Sequence, residues 1–168
     1  FKMNEKDFGM DLTFSAPETS FKNLLSLVPG VYTADFGSIK MKGDLAFNGN
    51  VKGTYSDTQM PAFNINLLVK DAMFQYPDLP TPVSNINVDL LLDNKTGVIE
   101  NTVVDLRKFH MDFGSNPVDA RMLIENLKDY RMDGNVKAKL DLAELSRMFP
   151  MEGLEMKGTF SVDASAKG

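Results

Sequence analysis

The feature that most limits the fold is an apolar residue at every second position, sustained over segment after segment. Phe8, Met10, Leu12 and Phe14 alternate with Gly9, Asp11, Thr13 and Ser15, and Phe63, Ile65, Leu67 and Val69 face away from Asn64, Asn66 and Lys70. Ile86, Val88, Leu90 and Leu92 stand against Asn85, Asn87 and Asp89, and the pattern returns at Val118, Ala120, Met122 and Ile124 and again from Tyr130 to Leu140. Successive strand side chains point to opposite faces, so each segment predicts a strand with one dry and one wet side. The total is nine or ten antiparallel strands. It includes a hairpin at Asn48-Gly49-Asn50, residues suited to a positive-φ turn, joining Ile39–Phe47 to Val51–Tyr55.

Helical signals are few. Phe21, Leu24, Leu25 and Val28 form a stripe that Pro29-Gly30 ends, with Ser15-Ala16-Pro17-Glu18 as the start signal, and Leu142 to Phe149 forms a second short helix. Pro77, Pro80 and Pro82 make Asp71 to Val83 an extended connection along the rim. Asp93 to Gly97 and Gly114 to Pro117 read as turns; between them Val98 to Leu106 and Phe109 to Phe113 read as strand, with a bulge or bend near Arg107-Lys108 where the alternation changes phase.

Two short helices cannot cover so long a dry face. At about 25 cal/mol per Å², several uncovered strands would lose more than a domain's net stability. The sheet must close as a barrel, fold into a sandwich, or curl into a trough dried in part by an apolar ligand.

An internal repeat favours the trough. Met41, Lys42, Gly43, Lys52 and Gly53 return at one constant spacing as Met156, Lys157, Gly158, Lys167 and Gly168, and the helix-proline stretch Phe21–Pro29 returns as Leu142–Pro150. Such repetition argues for a modular architecture, with units at about 21–141 and 142–168, the second truncated. A closed barrel has no place for another unit. A start at Phe1 and a stop inside the second copy are what an excised fragment of a longer protein would show.

Composition narrows the function. The 168 residues are 43% apolar, ample for a core, and the net charge of −5 argues against nucleic acid as the main partner. Absence of cysteine excludes disulfides, thiolate metal sites and a cysteine nucleophile. No apolar run approaches the roughly 18 to 20 residues that span a bilayer. Catalytic signals are weak: His110 is the single histidine, and a triad with Asp105 or Asp112 and Ser115 lacks a nucleophile elbow. Lys95-Thr96-Gly97 is a turn, and Asp93-Asn94-Lys95 puts a cation where a calcium loop needs an acceptor. The expectation is a non-enzymatic protein without cofactor or metal.

The Phe74-x-Tyr76-Pro77-x-Leu79-Pro80-x-Pro82 run within Asp71–Ile86, followed by Gly114-Ser115-Asn116-Pro117-Val118 and by the helix-proline-strand unit at Leu142–Phe160, resembles the AsmA family of bacterial envelope proteins over most of the chain from Phe21 onward. The resemblance implies an elongated, strongly curved antiparallel β-groove. It implies a periplasmic location for a parent protein anchored in the inner membrane by a helix outside this sequence. It also implies a role in outer-membrane biogenesis and in moving phospholipid between the membranes, with envelope proteins at either end as partners. Acyl chains would lie along Phe63, Ile65, Leu67, Val69, Ile86, Val88, Leu90, Leu92, Val118, Met122, Ile124, Val136 and Leu140, with methionine's flexible thioether suiting varied chains. The same residues would equally make an ordinary core, and Phe14 and Met156, beneath the helices, are better candidates for core than for lining. A third reading has open sheet edges accepting strands of other envelope proteins.

Overall fold

Each strand pairs with the strand that precedes it in the chain. A computed structural model describes residues 8–20, 23, 39–57, 59–75, 77, 81–148 and 156–168. The elements are β1 (Phe8–Ser20), β2 (Lys40–Tyr55), β3 (Ala62–Gln75), β4 (Val83–Asn94), a 3-10 turn (Ile99–Asn101), β5 (Val103–Phe113), β6 (Asn116–Asn126), β7 (Arg131–Asp141), α1 (Leu142–Met148) and β8 (Thr159–Lys167). They form one antiparallel sheet in the order β1-β2-β3-β4-β5-β6-β7-β8, strongly curved and not closed.

Eight strands replace the nine or ten expected, and the reason lies at Asn48-Gly49-Asn50. These residues run through the middle of β2 with β1 on one side and β3 on the other, Gly49 opposite both Phe14 and Ile65. Gly49 is there for space, since an added Cβ would run into the Asn64 carbonyl oxygen and the tip of the Phe14 ring. Removing the side chain lets Phe14 stack on Phe47 at a centroid distance of 4.9 Å.

Three further expectations are corrected. Ser15 to Glu18 starts no helix but continues β1, where Pro17 is tolerated because β1 is an edge strand. Asp71 to Gln75 is the last part of β3, paired on both sides, rather than a rim connection. Val98 precedes the 3-10 turn, and the strand starts at Val103. The expected first helix, Phe21 to Pro29, lies outside the described residues except for Asn23, which is helical and whose N–H donates to Ser20 Oγ at 3.2 Å.

The predicted bulge at Arg107-Lys108 is present: β4 passes from Asp89 to Leu90 while β5 passes from Lys108 to Leu106. Equivalent shifts fall on β1 at Pro17-Glu18 and on β3 at Lys70-Asp71, with Glu18 and Asp71 at φ 34° and 47°. A fourth shift falls on β4 at Ser84-Asn85, with Asn85 at φ 52°, and each of the four pairs sits between two residues of the apolar face. Each adds backbone to the polar face only, so the sheet bends around its apolar face.

Loops at one end are pinned to each other. The Met60 N–H donates to the Gly97 carbonyl at 3.1 Å, and the Leu127 N–H to the Glu100 carbonyl at 2.9 Å. Buried Asn94 organises the β4–β5 turn, donating to Val98 O at 2.8 Å and Thr102 Oγ1 at 2.9 Å while its oxygen accepts the N–H groups of Thr96 and Gly97.

At the other end α1 is capped by Asp141, whose carboxylate accepts the Glu144 N–H at 2.9 Å. Glu144 reaches across to the β5–β6 turn, accepting the Ser115 N–H at 3.0 Å, the Ser115 hydroxyl, and the Asn116 side-chain amide at 3.0 Å. These bonds, those of Ser115 first, hold its carboxyl below the ordinary value. Met148 is buried at the end of this helix.

Candidate functional site

Cross-strand pairing arranges the apolar side chains in rows that cross the whole sheet. One row runs Phe14, Gly49, Ile65, Leu92, Val104, Ile124, Met132 and Gly168. The next runs Ala16, Phe47, Leu67, Leu90, Leu106, Met122, Gly134 and Ala166, and the third Thr19, Leu45, Val69, Val88, Phe109, Ala120, Val136 and Ala164. Seven spacings of roughly 4.8 Å make each row about 34 Å long along the curve.

All thirteen lining candidates fall on this one face. Nine lie in the three full rows; Phe63 stands between Val51 and Asn94 at one margin, Ile86 and Val118 lie beyond the third row, and Leu140 pairs with Phe160 further out. Val69 is the exception in character, buried in a cluster with Leu45 and Ala72. Phe14 belongs to the rows and is half-buried rather than core, as is Met156. Phe47, Val104, Leu106 and Phe109 share the rows and were not among the candidates. Carrying the alternation through the bulge at Arg107-Lys108 finds the last three.

The rows have no cover among the described residues. Each strand packs on its sheet neighbours, and α1 lies at one end of the sheet, against the end of β7 and the β5–β6 turn. Fully buried hydrophobic residues are few among the described residues: Leu45, Val69, Ala72, Val83 and Met148. The remaining row residues are mostly half-buried, shaded by the curvature, and Val136 is 43% exposed. The chain's accessible surface is 11606 Å², against roughly 8,300 Å² for a compact monomer of its mass.

The opposite face is polar and internally bonded. Asn64 donates to Asp93 at 2.8 Å, and Asn66 to Asn64 at 3.0 Å and to Asn48 at 3.4 Å. His110 lies on this face, its Nδ1 2.7 Å from Asp119 and its Nε2 3.3 Å from Asp112 and 3.0 Å from the Asn85 amide. The triad considered for His110 is not assembled: Ser115 gives its hydroxyl to Glu144, and Asp105 pairs with Arg107 at 3.3 Å. Among the described residues no group of three or more His, Cys, Asp or Glu could hold a metal ion, and no helix is long and apolar enough to cross a membrane.

The repeat is visible in the backbone. Gly43 and Gly158 have φ +116° and +106°, and Asn23 and Glu144 each donate an N–H to the side chain three residues earlier. Thr19↔Leu45 and Ser20↔Asp44 have their counterparts in Leu140↔Phe160 and Asp141↔Thr159. At these two pairs β7–β8 matches β1–β2, six strands further on, and beyond them the bulge of β1 has no counterpart in β7.

No protein-family model, curated protein or solved structure matches the chain.

Proposed function

We propose that the curved sheet holds hydrocarbon, in the first instance phospholipid acyl chains, along its apolar face, and that it carries lipid between membranes of a cell envelope without catalysing a reaction. The observation that supports this reading most is a trough of three unbroken apolar rows without cover among the described residues. A methylene moved from water onto such a surface gains about 0.8 kcal/mol, so roughly ten seated methylenes gain about 8 kcal/mol before the losses of association. The rows carry aliphatic and aromatic side chains with no charged group, and Thr19 at one end is their one polar side chain, so a chain can slide while its head group stays in water. The motif resemblance to AsmA-type envelope proteins points the same way.

The test is mass spectrometry of gently purified protein, with delipidation and rebinding of a fluorescent phospholipid. Retained phospholipid that Val88→Asp removes from a folded protein supports the proposal. Absence of lipid both as purified and after rebinding overturns it.

A further inference from the structure

We infer that the free edge of β8 is an acceptor for an extended strand with the chemistry of β3, and that such a strand docks in the register β3 uses on β2. Among the described residues β8 has one neighbour, β7, whereas β2, whose place β8 takes in the repeat, pairs with β1 on one edge and β3 on the other. Two observations show that β8 keeps the features β2 needs for its second partner.

The first is Gly158. At Gly43 the absence of a side chain is required by β3, because an added Cβ would collide with the backbone of Ala72. Gly158 holds nearly the same positive φ, yet nothing lies within 4 Å of where its Cβ would be. Among the described residues, nothing fills beside β8 the space that Ala72 fills beside β2. The second is Asp163, at the position of Asn48. Asn48 accepts a hydrogen bond from Asn66 of β3 at 3.4 Å, and Asp163 places a carboxylate at the same level, where it already accepts from Asn135 at 3.2 Å and pairs with Lys137 at 3.1 Å, both on β7, and has lone pairs left for one more donor.

The edge carries little to repel a strand. No proline lies between Thr159 and Lys167, and β7–β8 pairing has no register shift, whereas the opposite edge, β1, carries Pro17 and a bulge. The occupant has apolar residues at alternate positions, asparagine between them, and a small residue facing Gly158. A β3-type strand would put its Val69, Leu67 and Ile65 positions opposite Phe160, Val162 and Ala164, and the apolar rows would continue onto it. A second folded copy is not that occupant, because its own β3 is enclosed by β2 and β4.

The experiment adds a labelled peptide of the Ala62–Gln75 sequence, with a solubilising lysine tail, to the whole chain. Fluorescence anisotropy reads affinity, and amide hydrogen exchange reads the site. The expected result is saturable one-to-one binding, with new protection along β8. N-methylation of alternate peptide amides on the pairing edge should lower affinity at least about tenfold while leaving the protein untouched. Gly158→Ala should lower it about tenfold as well, and replacing alanine by glycine at the Ala72 position of the peptide should restore part of the loss. No saturable binding, binding indifferent to N-methylation, or protection on β1 instead of β8 would each overturn the inference. Phospholipid rebinding, measured separately, is not affected by any of these results.

Discussion

Replacing Leu67 by Asp separates an open trough from a closed core. Leu67 sits at the centre of the second row, between Phe47 and Leu90, and is half-buried. Half of the roughly 2 kcal/mol that a fully buried leucine contributes is about 1 kcal/mol, and the new carboxylate in the unliganded trough remains in water. The expected loss in stability is therefore about 1 kcal/mol, a fall in Tm of roughly 2 to 4 °C for a chain of this length. When an acyl chain lies across the row, the same carboxylate loses its water at a cost of about 3 kcal/mol, roughly a hundredfold in affinity. Leu68, the next residue, faces the other way and pairs with Asp89. Leu68→Asn should leave lipid binding unchanged. Thermal melts followed by circular dichroism, together with titration of a fluorescent phospholipid, give both quantities. Unchanged lipid affinity in Leu67→Asp would refute the reasoning, and so would unfolding on the scale of 3 kcal/mol or more, the signature of a carboxylate forced into a closed core.

Three more outcomes are expected. Gly43→Ala forces a left-handed φ on alanine and drives its Cβ into Ala72, so it should destabilise by about 3 kcal/mol or more, while Gly158→Ala, with open space around it, should lose only about 1 to 2 kcal/mol; urea unfolding of the two variants checks the order. Asn94→Ala leaves Val98 O, Thr102 and two turn N–H groups without their buried partner, and should lower stability by about 2 to 4 kcal/mol and increase hydrogen exchange at Thr96 and Gly97. The Glu144 carboxyl is held below its ordinary value of 4.5, so its contribution is full above that pH and fades as pH falls through the lower folded value. The Tm advantage of wild type over Glu144→Gln should accordingly shrink on acidification below about pH 4.5, and an advantage that grew on acidification would contradict the assignment.

The strands were legible because each carries its own alternation, and the common face followed because antiparallel neighbours in chain order keep that phase. What the sequence concealed was context. Asn48-Gly49-Asn50 has the composition of a tight turn, and only the presence of Phe14 and Ile65 on either side makes its glycine a matter of room rather than of dihedral freedom. Pro17 looks like the start of a helix until β1 is known to be an edge. At Arg107-Lys108 the alternation itself slips, which is why that bulge could be read in advance; at Lys70-Asp71 it could not, because Ala72 is too small to mark the change of phase. Val69 was selected by alternation alone, which assigns a face but not a depth.

The bulges on β1, β3, β4 and β5 divide responsibility within the molecule. Shape is set by counting: one surplus residue on each of four strands, all displaced to the hydrated side, tightens the arc whatever side chains line the interior. Affinity is set by substitution in the interior rows, where leucine can give way to methionine or phenylalanine without touching the backbone. A lining of this kind can drift from one hydrophobic residue to another and keep its radius, whereas a single deletion within a strand would turn everything beyond it inside out.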